Sequence, residues 1–209
     1  MQFNKLIDNI KCYFNPKLKI TNDLIISIAI NDYNLAKDAI NKGANINYNR
    51  KDFKLIIYAM NVAYYAYNKD FNICYLLLSN EDLNINVRDE DNYSLLHGAI
   101  FLNDIRLVRY LIKLNPFDKD NIKNISPIEL ALQNKFYDAV IQMAIHIEPK
   151  ELKRFFLNLV LLKYINENNI TGINNVISKG ANVNIPFFNG KSIFELIKES
   201  NPEILKFIT

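Results

Sequence analysis

Apolar side chains recur along the chain at the three- and four-residue spacing of an α-helix, in pairs of short segments. The clearest pair predicts a helix over 94–102, a break at Asn103-Asp104 and a second helix beyond it. The apolar stripe of that second helix comprises Ile105, Leu107, Val108, Leu111 and Ile112. Two short helices joined by a tight break predict a helix-turn-helix unit.

The same plan predicts further helix pairs on both sides of this one. The predicted first helices cover 24–30, 54–67, 126–133 and 192–199, and a fifth has a proline-marked start near Glu148-Pro149 and an apolar face from Phe155 to Tyr164. The predicted second helices cover 35–40, 70–78, 137–145, 170–177 and 202–208. We expect Asn22 or Asp23 to cap the helix at 24–30. The chain is therefore predicted to be all-α.

A separate helix is predicted before the first pair. Phe3, Leu6, Ile7 and Ile10 share one helical face, and Asn15-Pro16 ends the pattern. Residues 1–19 are therefore expected to form an N-terminal capping helix.

Short motifs recur in register with the helix pairs. The pentapeptide that begins at Gly43 (Gly-Ala-Asn-Ile-Asn) returns at Gly180 with Val in place of Ile. Three first helices open alike, with Ser-Leu-Leu-His at Ser94, Ser-Pro-Ile-Glu at Ser126 and Ser-Ile-Phe-Glu at Ser192. Ser94 and Ser126 are 32 residues apart, and Ser192 follows after 66 more. Self-similarity at a period near 33 indicates a stacked-repeat protein.

These motifs resemble those of the ankyrin-repeat family over residues 20–209. Ser94, Leu96, His97 and Ala99 match the family's Thr-Pro-Leu-His-x-Ala opening, while the turns at Gly43 and Gly180 match its Gly-Ala-Asp-x-Asn, with Asn for Asp. Asn31, Asn103 and Asn168 stand where the family has an inter-helix glycine, and Asn tolerates the left-handed conformation needed there. The resemblance implies an all-α ankyrin-repeat solenoid of about five to six helix-turn-helix units. Their approximate bounds are 21–49, 50–88, 89–120, 121–147, 148–186 and, as a truncated C-terminal cap, 187–209.

Composition narrows the function classes. Half of the 209 residues are apolar, and the net charge of +3 is too mild to indicate nucleic acid. The sequence has no run of eighteen apolar residues, so no membrane-spanning segment is predicted. Nothing indicates secretion, so we expect a cytoplasmic protein in which Cys12 and Cys74 are reduced. The abundance of Asn, Ile, Lys and Tyr is typical of an AT-rich genome, such as that of an apicomplexan, a large DNA virus or an intracellular bacterium.

No residue set predicts catalysis. His97 and His146 are the only histidines, and neither has a Cys or Ser at motif spacing. The family resemblance implies that His97 hydrogen-bonds the turns of neighbouring repeats. The carboxylates at 81–82 and 89–91 fall in turns, where solvated charge is expected, and no zinc motif or phosphate loop occurs. We therefore expect a non-enzymatic protein with no metal and no cofactor.

The resemblance also implies a binding surface, because turn tips and first-helix ends line the concave face of such arrays. Residues of this chain that map there are Tyr48, Lys51, Arg88, Glu90, Asp91, Tyr93, Phe101, Leu102, Ile122, Lys123, Gln133, Phe188 and Lys191. We regard Phe101, Leu102, Tyr93 and Phe188 as candidate partner anchors, with packing between turns as the alternative for each.

The predicted function is a monomeric protein-protein interaction module. It would dock a partner protein on the concave face, as a viral or intracellular-bacterial effector would in host cytoplasm. The alternative is a protein that binds a small ligand or nucleic acid through basic residues, namely Lys119, Lys123, Lys150, Lys153 and Arg154.

Overall fold

The computed structural model describes residues 16–50, 53–66, 69–114, 125–148, 150–188, 190–200 and 202–208. This part of the chain is mostly helical, which confirms the all-α prediction at that level. The predicted capping helix up to residue 15, with Cys12, lies outside the described residues. The described strands form two short antiparallel hairpins, in which Asn49 pairs with Lys54 and Pro186 pairs with Ser192.

The helices follow one another in pairs, with the strands between some of the pairs. In chain order the elements are α1 (Pro16–Ala29), α2 (Tyr33–Asn41), β1 (Asn49–Arg50), β2 (Phe53–Lys54), α3 (Leu55–Tyr65), α4 (Asn72–Leu78), α5 (Leu95–Phe101), α6 (Ile105–Leu114), α7 (Pro127–Gln133), α8 (Tyr137–Ala144), α9 (Lys150–Asn166), α10 (Ile170–Ser178), β3 (Pro186–Phe188), β4 (Lys191–Ser192), α11 (Ile193–Ser200) and a 3-10 helix (Pro202–Phe207). Most predicted helices agree with these bounds to within two residues. The exception is the first helix of the first predicted pair, which begins at Pro16.

The described residues up to residue 98 form one compact unit. Within it α1 packs on α2 and α3 packs on α4, while α1 also contacts α3 and α2 contacts α4. First helices therefore meet first helices, and second helices meet second helices. The largest fully buried side chains of this unit are Leu24, Ile28, Leu55, Ile56 and Leu77.

The described residues from residue 99 onward form the second compact unit, and its border with the first falls within α5. Here α8 packs on both α6 and α7, and α9 packs on α8, α10 and α11. Its largest fully buried side chains are Ile100, Leu107, Ile141, Leu157, Leu161, Ile173 and Ile193.

A residue with positive φ ends six helices in the described part of the chain. These residues are Asn31, Gly43, Asn103, Lys135, Asn168 and Gly180. At each of them the backbone N–H bonds the carbonyl three residues back, and the next N–H bonds the carbonyl five residues back. This is the Schellman arrangement, which satisfies carbonyls that the helix leaves open. The prediction of left-handed residues at Gly43, Asn31, Asn103 and Asn168 is confirmed, whereas nothing in the sequence marked Lys135.

The predicted start of the first helix in the first pair is wrong. Helix α1 begins at Pro16, so the boundary at residue 20 falls inside it, and Asn22 and Asp23 are interior residues, not caps. Proline suits the first turn of a helix, where its missing N–H costs nothing. Thr21 is buried in α1, and its hydroxyl donates to the carbonyl of Lys17.

Buried polar side chains tie first helices to the turns that close their own helix pairs. The Thr21 hydroxyl accepts a bond from the N–H of Asn45, 24 residues on. At the same spacing, the Asn158 amide accepts from the N–H of Asn182 and donates to its carbonyl, at 2.9 and 3.2 Å. Both side chains are 2% exposed. Thr21 lies ten residues before Asn31 and Asn158 ten before Asn168, so they occupy equivalent positions in two helix pairs.

Asn158→Ala should destabilise the protein by about 1–3 kcal/mol, because it leaves the N–H and carbonyl of Asn182 without their bonds. Urea unfolding followed by circular dichroism measures this loss. The control is Asn174→Ala at an exposed position of α10, which should change stability by no more than about 0.5 kcal/mol. Equal effects of the two substitutions would show that the turn does not depend on Asn158.

Gly172 of α10 lies against the ring of Tyr164 on α9. A Cβ at Gly172 would come within 2.7 Å of that ring, whereas a Cβ at Gly98 would come within 3.0 Å of the end of the Met60 side chain. Tyr164 is held in place by burial, which raises its pKa to about 12, and by an edge contact with Tyr137. The ring cannot move aside as a methionine methyl group can.

Gly172→Ala should therefore lower stability by about 1–3 kcal/mol through overpacking, despite the better helix propensity of alanine. Gly98→Ala is the matched control and should be close to neutral. Thermal unfolding of both variants checks this, and a stabilised Gly172→Ala protein would contradict the close contact with Tyr164.

Candidate functional site

The three repeated serine segments form helix N-caps, and the residue three positions on completes each of them. At α7 the Glu129 carboxylate accepts bonds from the Ser126 N–H and hydroxyl, at 2.9 and 2.6 Å. At α11 the Glu195 carboxylate accepts the equivalent bonds from Ser192, at 2.8 and 2.9 Å. In return the Ser126 and Ser192 hydroxyls accept bonds from the backbone N–H groups of Glu129 and Glu195, at 3.4 and 3.2 Å. These reciprocal bonds form a capping box, so the glutamates in the histidine position of the motif have a structural role.

His97 fills the same position at the start of α5. Its Nδ1 accepts a bond from the Ser94 N–H at 3.2 Å and lies 2.8 Å from the Ser94 hydroxyl. A neutral ring that accepts at Nδ1 carries its proton on Nε2. The ring is 4% exposed and lies 5.1 Å from the ring of Tyr93. These contacts give His97 a capping role within its own helix pair, and its bond to a neighbouring turn stays a prediction.

Other chemistry-bearing side chains are dispersed in the described part of the chain. His146 is exposed just after α8, and Cys74 is fully buried in α4. The described residues contain no group of three His, Cys, Asp or Glu side chains that could hold a metal ion. None of the described helices is both long enough and apolar enough to traverse a lipid bilayer.

We call the predicted turn tips fingers, and the described residues of the first one, 48–50 and 53–54, pack on one another and on α3. The Tyr48 and Phe53 rings meet edge to face at 6.1 Å, and Phe53 lies 5.1 Å from Tyr58. The Arg50 guanidinium sits over the Tyr48 ring at 5.7 Å. Tyr48 is therefore partly occupied in holding the finger together, and Lys51 lies outside the described residues.

The second finger is a turn closed by a bridge between Arg88 and Ser94. The Arg88 guanidinium donates to the carbonyl of Asn92, and Tyr93 is half-buried against His97. Glu90 and Asp91 are exposed at the tip. Tyr93 thus has a packing role, whereas the two carboxylates face solvent.

The remaining predicted site residues fall in the second compact unit. Phe101 is 50% exposed, Leu102 is half-buried and Gln133 is exposed. Lys191 is exposed, and its ammonium pairs with the Glu199 carboxylate at 2.7 Å. The backbone of Phe188 pairs with that of Lys191 in the β3–β4 hairpin, and the structure does not describe the Phe188 side chain. Ile122 and Lys123, with Lys119, also lie outside the described residues.

A group of exposed apolar side chains that sequence reasoning largely missed lies in the first compact unit. We call it the N-terminal patch. It comprises Ile26, Ile30, Tyr33, Leu35, Tyr64 and Tyr65. Exposure reaches 61% at Ile30 and 84% at Tyr65. Ile30 ends the first helix predicted at 24–30, so it occupies a first-helix end, which the resemblance assigns to the binding surface. The available signal was the run 24–30, which holds more apolar residues than one helix face can bury.

Two hydrogen bonds between turns indicate that the patch residues share one end of the stacked pairs. The Asn47 side chain donates to the Asp82 carbonyl and accepts from the Asn84 N–H, at 2.7 Å each. The turns after α2 and α4 are therefore neighbours, which places the opposite ends of the pairs together as well. Those opposite ends carry Ile30 and Tyr33 on the first pair and Tyr65 on the second.

Comparison with known proteins identifies no family. No family model matches the chain, and no curated protein matches it. One similar solved structure is a chain from the complex of a predatory endopeptidase of Bdellovibrio bacteriovorus with an immunity protein, at 15% sequence identity and a TM-score of 0.49. The match covers 89% of this chain and 96% of that one. A likeness at this level assigns no function.

Acid should weaken the two glutamate capping boxes. The Ser126 hydroxyl and N–H lower the pKa of Glu129, and the Ser192 N–H and hydroxyl lower that of Glu195. A carboxyl whose pKa falls on folding stabilises the protein above its unfolded pKa, and this contribution disappears as pH falls through the folded value. Stability should therefore decline as pH drops below about 4.5, the ordinary value of both groups.

The double variant Glu129→Gln/Glu195→Gln should show a shallower acid decline, because neither amide titrates. Urea midpoints measured from neutral to acid pH check this. Glu148→Gln, an exposed position outside the motifs, is the control and should keep the parent slope. Parallel acid profiles for all three proteins would contradict the contribution of the capping boxes.

Proposed function

We propose that this chain is a non-enzymatic protein-binding module with an ankyrin-type solenoid of five to six units. Repeated local geometry supports the solenoid. In three turns an Asn side chain accepts from the N–H two residues on, from Asn45 to Asn47, Asn84 to Asn86 and Asn182 to Asn184. The equivalent positions of Thr21 and Asn158 support the same repeat.

The observation that carries the binding proposal is the N-terminal patch. When a partner covers large apolar side chains on a folded surface, the complex is stabilised by about 25 cal/mol per Å² of apolar surface buried. Aromatic and large apolar residues dominate protein interfaces, and Tyr65 with Ile30 offers both kinds on adjacent pairs. The Lys69 ammonium lies over the Tyr64 ring at 5.0 Å and supplies a cation at the edge of the patch.

The partner surface therefore differs from the one that the sequence favoured. First-helix ends are part of both, but the aromatic residues of the first two fingers are engaged in packing. The exposed tip that carries Glu90 and Asp91 adds negative charge that would orient a partner. The role as a viral or intracellular-bacterial effector in host cytoplasm stays a prediction from composition.

Affinity capture from lysate with matched variants tests the proposal. Ile30→Ser/Tyr65→Ser should reduce the captured partner at least about tenfold, since hot-spot residues contribute 2 kcal/mol or more each. Both positions face solvent, so the urea midpoint should stay close to that of the parent. Lys37→Ser, an exposed polar position on α2, is the control and should capture normally.

Two results would oppose this function. Equal capture by the parent and the patch variant would exclude the N-terminal patch as the docking surface. Binding that collapses between about 50 and 200 mM salt would instead favour the alternative of nucleic-acid binding.

A further inference from the structure

Helix α9 extends further at its N-terminus than α5 and α7 do. Helices α5 and α7 each begin eight residues before the positive-φ residue that closes them, at Asn103 and Lys135. Helix α9 begins eighteen residues before Asn168. A hairpin precedes α3 and α11, and a β-bridge precedes α5. The N-terminal turns of α9 take the place that a finger takes in those pairs.

The first two turns of α9 extend beyond the core. None of residues 150–156 is buried, whereas Leu157, Asn158, Val160, Leu161, Tyr164 and Ile165 of the same helix are. We call residues 150–156 the α9 arm. Its side chains contribute little to the core, so core packing does not explain their identity.

The arm combines large apolar side chains with positive charge. Leu152 is 44% exposed and Phe155 is 46% exposed, and the Phe155 ring lies edge to face with Phe156 at 5.6 Å. The arm also carries three cations, Lys150, Lys153 and Arg154. Glu151 is its single carboxylate. The ion pairs recorded within the described ranges include none of these three cations.

The two kinds of side chain lie on different sides of the helix. At about 100° per residue, Leu152 and Phe155 fall about 60° apart, and Lys150 and Arg154 lie on the opposite side. An occupant must offer an apolar surface to one side and negative charge to the other. A planar lipid surface meets only one side of so short an arm, and a phosphate backbone lacks the apolar surface.

We propose that the α9 arm docks an acidic segment of a partner protein that carries large apolar side chains. The apolar side chains of the segment cover Leu152 and Phe155, and its carboxylates pair with Lys150, Lys153 and Arg154. Arginine favours such pairing because its guanidinium binds a carboxylate through two parallel bonds. The proposal rests on the protein-binding function above, and it concerns a separate surface in the second compact unit.

Selection from a random peptide library displayed on phage tests this proposal with the intact chain as bait. Enriched peptides should combine Asp or Glu with Leu, Phe or similar residues. A synthetic copy of the best peptide should bind Leu152→Ser/Phe155→Ser and Lys150→Glu/Arg154→Glu at least about tenfold more weakly than the parent. Ile30→Ser/Tyr65→Ser is the matched control and should bind the peptide normally. Leu152→Ser alone provides a milder variant should the double one unfold.

Several outcomes would overturn the proposal. They are enrichment of no peptide, enrichment of peptides without acidic residues, and equal binding by the parent and arm variants. Arm-dependent binding of phosphatidylserine vesicles or of oligouridylate in preference to the peptide would show that the occupant is a membrane or a nucleic acid. If only the N-terminal patch variant loses lysate capture, the proposed function stands without the arm. If neither surface contributes to capture, both the proposed function and the role of the arm are excluded.

Discussion

The architecture depends on how the last carbonyl groups of each helix are hydrogen-bonded. A left-handed residue closes both bonds of the Schellman arrangement and reverses the chain within a few residues. The next helix must then run back along the one before it. Such a short pair cannot bury its apolar side chains alone, so neighbouring pairs have to supply the other wall of the core. The contacts of α1 with α3 and of α2 with α4 are the result.

Sequence reasoning was accurate where one residue type has one physical use. Gly43 and Asn103 identified helix ends because few other residues adopt positive φ at low cost. It failed where context decides. Lys135 takes the same conformation without any signal, because the bonds of the motif determine its backbone. Pro16 was read as the end of one helix although it begins another, since proline suits both places.

For the candidate binding residues, too, the sequence predicted position but not packing. Position in the repeat placed Tyr48 and Tyr93 on the fingers, but it could not reveal that their rings pack on Phe53 and His97. Which apolar side chains stay exposed is decided by how the helices pack in the folded core. Ile26 and Leu152 look like core residues in the sequence, and only the packing of their neighbours leaves them at the surface. The paired helices and their closing turns could therefore be foreseen, whereas the large apolar side chains that stay exposed could not.

The polar links through Asn45, Asn84 and Asn182 have a kinetic consequence. They join positions only 24 to 37 residues apart, as do the helix contacts that accompany them in sequence order. A chain whose native contacts are this local has a low contact order and pays little loop-closure entropy before each contact forms. A helix pair can then form on its own contacts before its sequence neighbour joins it, so amide protons of separate pairs can exchange with solvent at different rates.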